Sequence, residues 1–194
     1  MVIVTFLISC ATAETADYST MMGEVREDVY ENEYFGLGCE LEGWRYDNQN
    51  ELMVRNKMTY DQLSGEILES VKAGQALFLM FAQTSDMQKN VSVTVSYVEN
   101  AEALVEIYGM KMIVEALSET MKQSLAQMGR TDVTVSLLET EIGGEVFYGY
   151  DVDQGIACTS QIMLAKGNYT FAISATAGSM VLWRKRKRYS STFI

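Results

Sequence analysis

The sequence predicts an α+β fold, an antiparallel β-sheet flanked by helices. Three observations carry it. The β-rich runs come in consecutive pairs joined by short polar turns, which favours antiparallel neighbours. Only two stretches hold a helical period, too few for a doubly wound parallel sheet. Taken along the chain, the elements run β-β-α-β-β-α-β-β-β-β.

Residues 25–30 (VREDVY) and 33–41 (EYFGLGCEL) read as two short strands joined around Glu31-Asn32-Glu33. Thr59 and Gln62 form a capping-box start, and Leu63, Ile67, Leu68 and Val71 follow at helical spacing until Gly74. Residues 76–83 (ALFLMFAQ) are continuously apolar, as in a strand buried on both faces. In 91–98 (VSVTVSYV), valines and a tyrosine alternate with Ser and Thr, so one face is buried. A long helix spans 102–128 with a kink near Gly109, and its predicted apolar stripe is Ile113, Leu117, Met121 and Leu125. Four strands close the domain at 133–140, 145–152, 157–165 and 169–176. Gly143-Gly144, Gly155 and Lys166-Gly167-Asn168 mark the turns between them.

With 194 residues, 48% hydrophobic and 21% charged, the chain suits one globular domain. It contains no histidine. Nucleophile–imidazole pairs, imidazole metal ligands and a His base are therefore absent. There is no GxSxG elbow, SxxK motif or phosphate-cradling Gly loop either, and no cofactor and no enzyme activity are expected. A net charge of −11 repels phosphates, so nucleic acid is not an expected partner.

Residues 1–8 (MVIVTFLI) are apolar except for Thr5, too short to span a bilayer but suited to a secretory signal. The string that follows, Leu7-Ile8-Ser9-Cys10-Ala11, resembles the lipobox of bacterial lipoproteins. That resemblance implies cleavage before Cys10, diacylglycerol on its thiol, and anchoring to the outer face of the cytoplasmic membrane. Two other readings stand beside it. Ala11-Thr12-Ala13 fits an A-x-A cleavage site that would release a secreted chain from Glu14, and the run could instead be a buried strand. The expected organisation is a signal at 1–9, a flexible tether at 10–24, a folded domain at 25–178 and a basic tail at 179–194.

A second resemblance covers roughly 29–177. The phrase YENEYFGLGCELEGW (30–44), a helix, a Phe/Met-rich strand, NVSVTV (90–95), the GRTDV after the second helix, then IGGEVFYGY and KGNYTFAIS together resemble the PsbP-like superfamily. Small lipoproteins of gut-dwelling Gram-positive bacteria are the nearest in pattern. The resemblance implies an α/β/α sandwich. Relatives of that fold serve as photosystem accessory subunits and as a Ran-binding nuclear import factor, so no functional residue is carried over. Where the family usually has proline before its Gly-Trp pair, Glu42 precedes Gly43 here.

Candidate residues follow from chemistry. Cys39 and Cys158 are an even pair in an exported chain, either a disulfide or two small buried hydrophobes. Trp44, Tyr148 and Tyr150 could line a ligand or partner groove, although core packing serves equally. The acids Glu24, Glu27, Asp28, Glu31 and Glu33, and the pair Asp151 and Asp153, match no calcium loop and read as solvated faces. The basic run RKRKR at 184–188 reads as an arm for anionic lipid or wall polymer, or as an unstructured end. The leading expectation is a non-enzymatic binding or accessory lipoprotein, in contact with the membrane and with an envelope protein or wall polymer. The alternatives are an assembly factor for a membrane complex and a carboxylate-dependent hydrolase.

Overall fold

The computed structural model describes residues 21–57, 74, 76–142 and 145–177. The expected signal, Cys10, the helix after Thr59, the Gly143-Gly144 turn and the basic tail lie outside the described residues. Within them the chain forms β1 (Glu24–Arg26), β2 (Val29–Asn32), β3 (Leu37–Glu40), β4 (Arg45–Tyr46), α1 (Gln49–Arg55), β5 (Leu77–Gln83) and β6 (Lys89–Tyr97). It continues with α2 (Ala101–Tyr108), α3 (Met110–Gln127), β7 (Thr134–Ile142), β8 (Glu145–Asp153), β9 (Cys158–Lys166) and β10 (Tyr169–Ala177).

The antiparallel α+β architecture is the one expected. Seven strands form one sheet in the order β4-β5-β6-β10-β9-β8-β7, with every neighbouring pair antiparallel. After β6 the two helices carry the chain to the far edge, and β7 to β10 then meander back to β6. The β6–β10 register runs without interruption from Tyr169 opposite Tyr97 to Ala177 opposite Lys89.

A second sheet, β1-β2-β3, lies over one face of the first. Here the sequence reading needs correction. Residues 25–30 are not one strand but a hairpin that turns at Glu27 and Asp28, with Glu27 at φ +54°. Asp and Glu side by side leave no apolar alternation to distinguish a tight turn from a strand interior. The folded body also begins before Val25: Met21 is 1% exposed, and its carbonyl accepts from Asn32 Nδ2 at 2.7 Å. The turn after β3 is made without proline. Gly43 supplies φ +73° at the third position, and Trp44 N–H donates to Leu41 O at 3.1 Å.

The core lies between the two sheets. Val91, Val93 and Val95 of β6 face it as the alternation predicts, joined by Phe171 and Ile173 of β10, Ile162 of β9 and Tyr30 of β2. Strand β5 departs from the expectation of burial on both faces. A bulge between Phe78 and Met80 turns Leu77, Met80 and Ala82 inward and leaves Phe78 and Phe81 on the other face. There the Arg55 guanidinium lies 3.5 Å from the centre of the Phe81 ring.

Helix α1 was not anticipated, although its signal is present. Asn48 and Glu51 form a complete capping box, upstream of the one read at Thr59. Buried Asp47 accepts from Arg55 at 2.9 and 2.7 Å and from Arg45 at 3.3 Å, tying the helix to β4. Asn56 then acts as a strand would against β5: its Nδ2 donates to Phe78 O at 2.9 Å, and its Oδ1 accepts from Phe78 N–H at 2.7 Å. Asp47 N–H closes Phe81 O in the same way at 2.8 Å. Removing Asn56 leaves two backbone groups of Phe78 without these partners, so Asn56→Ala should cost about 2 kcal/mol, read from the urea midpoint. At the opposite edge, β7 has β8 on one side and no strand on the other among the described residues.

Gly109, at φ +77° and ψ +140°, ends α2 and starts α3. This break resets the helical phase. The stripe facing the sheet is Met110, Val114, Ser118, Met121 and Leu125, whereas Leu117 is exposed. Ser118 Oγ is buried without a hydrogen-bond partner. Ser118→Ala should therefore stabilise the domain by about 1 kcal/mol in the same urea titration.

Candidate functional site

The residues singled out by the sequence do not form one site. Trp44 is half-buried against the core between the sheets. Tyr148 and Tyr150 do share a face of β8, as expected, but it is the face under α3, where they pack with Val114 and Val135. Lys111 Nζ of α3 lies 5.7 Å from the centre of the Tyr148 ring. These three aromatics therefore hold layers together on opposite sides of the large sheet and line no common groove.

Cys39 and Cys158 stand in separate sheets as buried thiols, and no disulfide joins them. Burial pushes the Cys39 thiol up to about 11, against a partial opposing effect of its hydrogen bond with Tyr46. Burial likewise raises the Tyr46 hydroxyl, which donates to Asp28 O at 2.8 Å. Cys39 thus favours the fold while it is protonated. That contribution is complete below the ordinary thiol value of 9.0 and is lost as pH rises toward about 11. Stability measured by urea should fall across this window, and the fall should be smaller in Cys39→Ala.

Three of the acids singled out are held by neighbours. Asp151 accepts from Ser160, Asp153 accepts from Gly155 N–H at 2.8 Å, and Glu24 pairs with Arg26 at 2.7 Å. No group of three or more Cys, Asp or Glu suited to a metal ion occurs among the described residues. A surface hollow of about 420 Å³ lies beside the β5–β6 turn, lined by Gly43, Arg45, Gln83, Thr84, Ser85 and Met87. Its cation, Arg45, is already engaged by Glu51 at 2.6 Å and by Asp47.

The feature that sequence reasoning missed lies at the other end of the sheet. Helix α2 starts at the β9–β10 turn: Glu102 N–H donates to Gly167 O at 3.0 Å, and Glu102 Oε2 accepts from Gly167 N–H at 2.7 Å. From there it crosses β10 and β9 toward α3, whose first turn reaches Glu139 and Tyr148 through Lys111. With about 100° between successive residues, Ala101 and Val105 point inward, and Glu102 and Glu106 point to one side. Leu104, Ile107 and Tyr108 fall on the other side. The apolar arc is wider than the stripe the sheet covers. Ile107 is 71% exposed and Tyr108 is 55% exposed, and Met112, past the Gly109 break, is 57% exposed. Four large apolar side chains thus stand in water within nine residues of chain.

The β9–β10 turn that holds the start of α2 also touches the small sheet on the other face of the large one. Met21 is bonded to Asn32, and Asn32 Oδ1 accepts from Phe35 N–H at 3.0 Å. Phe35 stacks on Phe171, and its neighbour Tyr34 receives Lys166 both at its carbonyl and over its ring. Lys166 begins the turn that holds α2. A continuous run of contacts therefore places Met21 and α2 at one end of the large sheet.

The structure is similar to the solution structure of cyanobacterial PsbP (CyanoP) from Synechocystis sp. PCC 6803. The two are 10% identical with a TM-score of 0.46, over 86% of this chain and 89% of that one. No protein-family profile and no curated protein matches the chain.

Proposed function

We propose that the chain is an exported lipoprotein anchored through Cys10 to the outer face of the cytoplasmic membrane, with a non-enzymatic binding or accessory domain as its folded body. One observation supports this reading: the short spacing between the anchor motif and Met21, the first described residue. Leu7-Ile8-Ser9-Cys10 is followed by only ten residues, 11–20, before Met21 is held by Asn32. Two acyl chains on such a cysteine give stable anchoring, where one gives marginal binding. The binding role, as opposed to a carboxylate-dependent hydrolase, is supported by acids engaged in structural contacts. Asp47 fastens α1, Glu51 caps it, and Asp151 bonds Ser160 across β8 and β9. What the domain offers to a partner is the apolar corner on α2 and α3.

The test is metabolic labelling with a palmitate analogue. Label and membrane association are expected in the natural chain, and both should vanish in Cys10→Ser. A chain recovered from cytosol with its first methionine uncut and no acyl mass would overturn the reading.

A further inference from the structure

We infer that the outer edge of β7 is where a second copy of this chain binds, strand against strand about a two-fold axis. The inference concerns the folded body alone and stands or falls apart from the tethered reading above. Three observations support it.

The first is the edge itself. Among the described residues β7 has β8 on one side and no strand on the other. Ile142 pairs with Glu145 across two intervening residues, which makes them a hydrogen-bonded pair, and bonded pairs recur at every second residue. Thr140, Leu138 and Ser136 therefore bond to β8, whereas Val135, Leu137, Glu139 and Glu141 turn their N–H and C=O groups away from it. Such a row is a template for one more strand. The opposite edge is closed, because Asn56 and Asp47 occupy outward groups of β5.

The second is register. Two antiparallel copies of β7 engage all four outward residues of each copy in a single alignment, with the axis beside Leu138. It sets Leu137 opposite Glu139 of the second copy and Val135 opposite Glu141 of the second copy. No glutamate then faces a glutamate. Moving the axis to Glu139 sets that residue against itself, and like charges directly opposite destabilise a strand pair. The acids of β7 thus select the alignment that also makes the most main-chain bonds.

The third is charge. In this alignment each glutamate has a lysine beside it. Lys111 Nζ lies 3.3 Å from Glu139 of its own chain and offsets the diagonal approach of the two Glu139 carboxylates. Lys122 is eleven residues farther along α3, about three turns, and so on the same side of the helix. At that level Met121 and Leu125 pack on the cluster that holds Val135, which is where Glu141 of the second copy arrives. Lys122 is paired with Glu119 at 3.4 Å in an exposed contact of small worth, and it can turn to that glutamate instead.

The experiment uses the full chain in detergent. Ser136 is exposed and Thr140 half-buried, and the alignment sets each directly opposite the other across the axis. Along one strand they stand about 13 Å apart, and identical positions in the two copies are at least as far, beyond disulfide reach. Ser136→Cys chains mixed with Thr140→Cys chains should therefore form a 136–140 disulfide when an oxidant is added, and either variant alone should not. Mass spectrometry of the linked peptides separates this bond from any reaction at Cys10, and Cys39 and Cys158 are buried. Leu137→Glu sets an acid against Glu139 and should weaken the dimer about tenfold in sedimentation equilibrium, whereas Leu137→Lys should tighten it about tenfold.

A natural chain that sediments as a monomer at every concentration overturns the inference. So does a mixture that fails to crosslink, or that crosslinks no better than either variant alone. A dimer broken by Ile107→Glu yet unmoved by both Leu137 variants is held by the exposed corner of α2, and that too overturns the assignment.

Discussion

Gly149→Ala is expected to abolish the native sheet. Gly149 lies in the middle of β8, and a Cβ there would stand 1.8 Å from Gln161 O and 2.8 Å from Ile162 Cα, both backbone atoms of β9. A flexible side chain could move aside; a hydrogen-bonded strand cannot do so without separating β8 from β9. Because β7 pairs with β8 alone among the described strands, that separation would release both strands and the layer of α3 packed on them. The cost should exceed about 3 kcal/mol, seen as a collapse of the urea midpoint and of near-ultraviolet dichroism. Gly155→Ala is the control. Gly155 has φ +78° but open space around the added methyl, so only the backbone penalty of about 1 kcal/mol applies. Equal losses in the two variants would refute the close-approach argument.

Phe171→Ala should remove about 3–5 kcal/mol. The ring is fully buried near the start of β10, between Val95 of β6 and Leu164 of β9, and stacks on Phe35. Phe35 belongs to the turn between β2 and β3, so this contact joins the two sheets as well as filling the core. Hydrogen exchange should consequently rise in β1 to β3 before it rises in β6. Phe171→Leu keeps most of the volume and should cost less than about 2 kcal/mol. If exchange in the small sheet were unchanged in Phe171→Ala, its attachment would lie elsewhere.

Much of the fold was legible because strands with one buried face leave a period of two in the sequence. Val91, Val93 and Val95 announced both the strand and its inward side, and the glycines and Lys166-Gly167-Asn168 bounded the β7–β10 meander within about two residues. What failed depended on information that is not local. The hairpin at Glu27 has a turn of two acids that resembles an exposed strand. The inward stripe of α3 passes through Val114 and Ser118 in place of the expected Ile113 and Leu117, because packing on the sheet, and not side-chain polarity alone, sets the inward side. Gly149 looks unremarkable in its segment; only the approach of β9 makes it indispensable.

The candidate site follows the same rule. Trp44, Tyr148 and Tyr150 attracted attention as aromatics, yet aromatic content cannot tell a groove from a core, and each joins two layers. The corner of α2 was hidden for the opposite reason. The expected stripe began at Ile113 and left the first helix unread, so the exposure of Ile107 and Tyr108 came only with the structure.

The unequal treatment of the two sides of the large sheet limits how the protein can misassemble. Where Asn56 and Asp47 occupy the outward groups of β5, an incoming chain finds few unbonded amides to recruit. Among the described residues only β7 offers a long row of them, and Glu139 and Glu141 on that strand discourage a visitor that brings like charges against them. Growth by stacking molecules edge to edge needs two open sides per molecule. With one edge of the large sheet sealed among the described residues, pairing through that sheet stops at two copies.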